Sequence, residues 1–157
     1  GLVVPQQVID AQNSEWGLVI ISDKCDATCE QQLYRLQQLY LSMGKQAERL
    51  QTVWVSNDVK RSAEQMSVEI ALKEDDEDSE QTHRAMDLTG ELSFKKMIQI
   101  NDPDTFAWFE KQAINWQDQS IFFVDPLGNI VLRFNPELSG RDMMSDIKWL
   151  FKASRVG

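Results

Sequence analysis

Residues 17–22 (Gly-Leu-Val-Ile-Ile-Ser) form an unbroken apolar run. That is the pattern of a central strand covered on both faces. From about residue 28 to 43 the period changes. Leu33, Leu36, Tyr40 and Met43 recur at helical spacing, with Leu39 beside them and Gly44 as the C-terminal stop. Residues 50–56 (Leu-Gln-Thr-Val-Trp-Val-Ser) are rich in β-branched and aromatic side chains and read as a second strand. Strand, helix and strand at this spacing predict a βαβ unit with parallel strands and a right-handed crossover.

The pattern is less regular on either side. Residues 1–15 are polar after a short apolar start and read as an irregular arm. Residues 58–72 carry only a weak helical stripe, and residues 74–80 are a run of acids and one serine, expected to be a solvated loop. A short extended segment is expected at 97–100, and a helix over 105–113 with Asp104 as N-cap. Residues 120–124 and 130–134 flank Asp125-Pro-Leu-Gly128-Asn and predict an antiparallel hairpin. Residues 139–153 close the chain as a helix with Met143, Ile147, Leu150 and Phe151 on one stripe. The order β-α-β, a variable middle, then β-β-α predicts one α/β domain over residues 1–157. Its mixed central sheet would be flanked by helices, as in the thioredoxin-like fold.

Composition narrows the function classes. Apolar residues make up 42% of the 157, enough for a core. A net charge of -9 argues against a nucleic-acid partner and against docking on anionic lipid. No stretch approaches the roughly 20 apolar residues of a membrane span, and the apolar start is too short for a signal core.

The candidate chemistry is Cys25-Asp-Ala-Thr-Cys29, at the junction of the first strand and the first long helix. These are the only two cysteines. A helix start favours thiolate through its free N–H groups and dipole. Lys24 adds a nearby cation, while Asp26 and Glu30 oppose it. Residues four apart in a helical turn have Cα atoms about 6 Å apart, within reach of a disulfide. Two soft thiolates also suit Cu(I). Zinc would need more ligands than the chain offers. A structural disulfide or two inert buried thiols are the remaining readings. Trp16 and Trp116 are expected to pack the core and shield the site. Met143 and Met144 are expected to pack, and His83, the only histidine, to sit in solvent beside the acidic run.

Cys25-Asp-Ala-Thr-Cys29-Glu-Gln-Gln-Leu33, together with Val124-Asp-Pro-Leu-Gly-Asn-Ile-Val131, resembles the Sco family (synthesis of cytochrome c oxidase). The order of elements agrees with that family from about Trp16 to Phe151. The resemblance implies a thioredoxin-like domain on a longer protein, tethered to the inner membrane and facing the periplasm. It also implies a role in building the copper centre of cytochrome c oxidase. The expected partner is the copper-bearing oxidase subunit or another assembly factor. Sco proteins bind copper through both cysteines and a histidine, or act as dithiol reductants. This chain reads Asp118-Gln119-Ser120 where the family has its histidine, so Gln119 replaces the third ligand. The residues after the second strand, 56–61, also lack the family's acidic and Arg-rich segment.

Three functions follow. The first is a Sco-like thiol–disulfide oxidoreductase, with Cys25 as attacking thiol and Cys29 as resolving thiol. The second is a two-thiolate Cu(I) chaperone. The third is a non-catalytic assembly module with a structural disulfide and an acidic docking loop.

Overall fold

The computed structural model describes residues 2–57, 97–112, 114 and 116–154. The expectations for residues 58–72, the acidic run 74–80 and His83 lie outside the described residues. Among the described residues, five strands form one sheet: β1 (Trp16–Ser22), β2 (Leu50–Ser56), β3 (Met97–Asn101), β4 (Ile121–Val124) and β5 (Ile130–Phe134). Their spatial order is β3-β2-β1-β4-β5. Strands β1, β2 and β3 run parallel, and β4 and β5 run antiparallel. Among the described residues, four helices flank the sheet: α1 (Gln6–Gln12), α2 (Ala27–Ser42), α3 (Pro103–Lys111) and α4 (Gly140–Ala153), with a 3-10 turn at Gly44–Arg49.

All seven residues of β1 are buried, as an apolar run without alternation requires of a central strand. Alternate side chains divide between two cores. Trp16, Leu18 and Ile20 enter one, with Leu33 and Leu36 of α2 and Ile147 and Phe151 of α4. Val19 and Ile21 enter the other, with Val8 of α1 and Phe106 and Phe109 of α3. Full burial stabilises each such side chain by about 1.5–3 kcal/mol. Helix α2 therefore cannot leave the first layer without exposing Leu33 and Leu36.

Three expectations change. Residues 1–15 are not an irregular arm. They contain α1, which buries Val8 and Gln12 against the sheet, and Val4 N–H donates to the Gly128 carbonyl at 2.9 Å. One helix of seven residues with so few apolar positions shows no readable stripe. The N-cap of α3 is Asp102 rather than Asp104. Pro103 takes the first helical position, where its missing N–H costs nothing, and the Asp102 carboxylate accepts Thr105 N–H at 3.1 Å. Trp16 does not shield the cysteines. It opens β1, roughly 20 Å from the end that leads to Cys25, and stacks on Phe123 at a ring separation of 4.8 Å. Trp116 packs on Phe106, in the layer opposite Cys29.

The hairpin forms as expected. The Asp125 carboxylate accepts the N–H of Leu127 at 3.0 Å and of Asn129 at 2.9 Å. Gly128 turns the chain at φ +96, where Ile9 also presses within 2.7 Å of any added Cβ. A side chain there would meet both backbone strain and a clash.

Candidate functional site

The candidate redox site lies where the C-terminal end of β1 meets the start of α2. Ser22 is fully buried, and its hydroxyl donates to the Lys24 carbonyl at 2.9 Å, which turns the chain out of the sheet. Asn57 donates its amide to the Asp23 carboxylate at 2.9 Å, tying this loop to the end of β2. Asp26 then adopts extended backbone as the N-cap of α2, and its carboxylate accepts the Cys29 N–H at 3.0 Å. The Asp26 carbonyl accepts Glu30 N–H at 3.0 Å and begins the helical ladder.

This start places the two cysteines differently. Cys25 precedes the cap and is half-buried, whereas Cys29 lies in the first turn and is fully buried in the layer under α2. They are joined as a disulfide with Cα atoms 5.0 Å apart. The bond bridges the residue before the cap to the third helical residue. One sulfur is therefore within reach of a partner and the other is screened.

A second segment approaches from β4. Ile20 pairs with Ile121 in the antiparallel register, so continuing that register brings Gln119 level with Ser22. Gln119 holds a positive φ of 64, which costs a non-glycine residue about 1 kcal/mol or more. Its backbone is bound at both ends. The N–H donates to the Trp116 carbonyl at 3.0 Å, and the carbonyl accepts the Gln32 side-chain amide at 2.6 Å. Asp118 fixes the same turn by accepting Ser120 N–H at 3.0 Å, and it pairs with Arg133 of β5.

Gln32 and Arg35 are site-adjacent residues that the sequence patterns did not single out. Gln32 lies one turn beyond Cys29 and is almost fully buried. Its side-chain oxygen accepts from Arg35 at 2.9 Å, and Arg35 also donates to the carbonyls of Pro136 and Leu138. Burial lowers the Arg35 pKa from its ordinary value. The bridge joins α2, the turn before β4 and the turn before α4. Two polar residues three apart beside the leucine stripe of α2 were the available signal. Asp26 also bore a readable one, since an aspartate just before a helical pattern is an N-cap candidate.

The donor set does not complete a three-ligand copper site among the described residues. When reduced, Cys25 and Cys29 would offer two soft sulfurs. The side-chain oxygen of Gln119 is buried and has no hydrogen-bond partner among the described residues, but an amide oxygen is a hard donor that suits Cu(I) poorly. No group of three His, Cys, Asp or Glu side chains placed to hold a metal occurs among the described residues. Met143 is buried in the core. The arrangement supports two-electron exchange between a dithiol and a disulfide.

The mixed five-stranded sheet and its flanking helices define a thioredoxin-like α/β protein, and the cysteine pair lies at the end of its first strand. The chain belongs to the family described as transmembrane-like, thioredoxin-like, C-terminal domain, whose model matches residues 16–93 and 68–154. No helix among the described residues is long and apolar enough to cross a membrane.

No curated relative matches the sequence. Among solved structures, yeast Sco1 is similar at a TM-score of 0.62 and 14% identity, over 95% of this chain and 87% of that one. Copper-bound ScoI of Bradyrhizobium japonicum is similar at 0.52 and 15% identity, over 90% and 88%. A thiol:disulfide interchange protein of Bacteroides sp. is similar at 0.55 and 18% identity, over 99% and 91%. At these identities the likeness establishes the fold.

Proposed function

We propose that this domain is a Sco-like dithiol reductant that assists assembly of the copper centre of cytochrome c oxidase. Its parent protein would be anchored in the inner membrane, with the domain facing the periplasm. The observation that carries the reading is the half-buried Cys25 bonded to the buried Cys29 at a helix start. The Cys-x-x-x-Cys spacing and the likeness to yeast Sco1 and ScoI support it. The transmembrane-like description of the family supports the anchored topology. Gln119 in place of a soft third ligand favours thiol exchange over copper storage.

The chemistry is balanced as follows. A donor dithiol first reduces the Cys25–Cys29 disulfide, supplying two electrons and two protons. The Cys25 thiolate then attacks one sulfur of the disulfide in the oxidase subunit and forms a mixed disulfide, releasing one subunit thiolate. Cys29, as thiolate, attacks Cys25 Sγ, restores the internal disulfide and releases the second subunit thiol. The buried position of Cys29 keeps it aimed at Cys25 rather than at solvent.

Redox titration against glutathione and dithiothreitol buffers tests this. A two-electron potential between about -300 and -180 mV is expected, and a value well below about -300 mV would mark a structural disulfide. In cells, the Cys25→Ser, Cys29→Ser double variant is expected to fold but to lose oxidase assembly. Full assembly with that variant would leave the non-catalytic module as the surviving reading. Competition against a Cu(I) chelator addresses the carrier reading. That reading requires tighter Cu(I) binding by the reduced protein than by the double variant.

A further inference from the structure

Asp26 occupies the helix terminus that a cysteine thiolate would otherwise use. Its carboxylate accepts the Cys29 N–H at 3.0 Å and caps α2. It lies between the two cysteines in sequence and directly follows Cys25. The disulfide closes across it, with Cys25 and Cys29 Cα atoms 5.0 Å apart. A free helix start stabilises a thiolate and so lowers its pKa. Here the positive end of the helix is already matched by a carboxylate, and a thiolate on Cys25 meets a like charge one residue away. Like charges disfavour the ionised form.

We propose that Asp26 is a positioning residue that tunes the redox poise of the Cys25–Cys29 pair toward the reducing side wherever Cys25 ionises. A dithiol whose reduced form is stabilised as thiolate becomes an oxidant. Asp26 withholds that stabilisation while preserving the cap that orients Cys29. The inference rests on the proposed thiol–disulfide role and adds a residue that tunes it. Other charges near this end of the sheet, among the described residues, include Asp23 and Lys24 in the loop, Glu30 and Arg35 on α2, Asp102 after β3, Asp118 before β4 and Arg133 on β5. Asp23 is engaged by Asn57, Asp118 pairs with Arg133, and Arg35 is bound to Gln32 and to two carbonyls. Asp26 is the carboxylate hydrogen-bonded within the Cys25-x-x-x-Cys29 turn itself.

The test uses the whole chain and the variant Asp26→Asn, because asparagine caps a helix about as well as aspartate. The Cys25 pKa is read from the pH dependence of iodoacetamide alkylation of the reduced protein. Asp26→Asn is expected to lower it by roughly half a unit to one unit, a threefold to tenfold change in the ionisation constant. The reduction potential is then measured from pH 6 to 10. Above the thiol pKa the variant is expected to be more oxidising by a threefold to tenfold change in the exchange constant. Tenfold corresponds to 29.6 mV for this two-electron couple. Well below the thiol pKa the two curves are expected to merge, because the thiol is then protonated in both proteins.

Asp26→Glu, which keeps the charge, is expected to follow the wild type at high pH. A wild-type pair that titrates normally, with Asp26→Asn superimposable on it at every pH, overturns the inference but leaves the redox role intact. A wild-type pair that resists reduction across the buffer range defeats the redox role itself. A uniform offset at all pH values would assign the effect to altered packing and also overturn the inference.

Discussion

Helices α2 and α3 open in the same way. Asp26 accepts the N–H of Cys29, and Asp102 accepts the N–H of Thr105, each three residues on. What surrounds the two caps differs. At α3, Pro103 fixes the first helical residue, and the Thr105 hydroxyl donates to the same carboxylate at 2.7 Å. Hydrogen bonds from the Thr105 side chain and backbone hold the Asp102 carboxyl below its ordinary pKa. The same hydroxyl lies 2.9 Å from the Gln7 side-chain oxygen of α1, and Asp102 N–H donates to the Ser56 carbonyl of β2 at 3.0 Å, so this cap also fastens neighbouring elements. At α2, a disulfide replaces the Thr hydroxyl and the Pro ring, so the constraint is one that can be chemically removed. The same local cap thus borders plain scaffold on one face of the sheet and a cleavable disulfide on the other.

The largest expected effect tests whether the two faces are energetically separate. Phe109 of α3 is fully buried in the layer opposite Cys29. Phe109→Ala should destabilise folding by about 3–5 kcal/mol in urea or guanidinium melts. The exchange constant of the Cys25–Cys29 pair in the folded protein should change by less than about twofold. A large shift in that constant would show that the faces are coupled and would break the comparison.

A smaller effect is expected at the reactive cap. Asp26→Ala should cost about 0.5–2 kcal/mol. The loss should be greater in the reduced protein than in the oxidised one, because the disulfide holds the same first turn without help from the cap. Equal losses in both states, measured by denaturant melts with and without reductant, would mean that the bond does not brace the helix start.

The smallest effect concerns acid. The folded pKa of Asp102 is depressed, so its stabilising contribution is fully present above the unfolded carboxylate pKa of about 3.9. That contribution is lost as pH falls through the lower folded value. Asp102→Asn should flatten the acid limb of the stability curve below about pH 4, read as denaturant midpoints from pH 5 to pH 2. An unchanged limb would remove the electrostatic distinction drawn at α3.

Several of these features were legible in the sequence, for reasons local to it. The run at 17–22 has no polar break, so β1 had to lie in the sheet interior. Residues 50–56 and 130–134 became β2 and β5 with the expected bounds, because β-branched and aromatic residues there are flanked by turn or polar positions. The hairpin was legible because Asp125 and Gly128 supply the turn chemistry themselves. The N-cap of α3 was misread by two residues, since Asp102 and Asp104 both precede a helical pattern and only the position of Pro103 separates them. Helix α1 escaped notice because its few apolar residues acquire meaning only against the sheet.

The cysteine pair, its spacing and its place after an apolar run were fixed by covalent order and local periodicity. Sequence alone therefore determined that both cysteines lie in one short segment where a strand meets a helix. The tertiary structure decided what faces that segment. The strand order β3-β2-β1-β4-β5 sets β4 beside β1 and so brings Gln119, distant in the chain, level with Ser22. Periodicity reports which face a residue occupies, but strand adjacency depends on non-local packing of helices against both faces. The bridge from Arg35 through Gln32 to Gln119 exists only after that packing is complete.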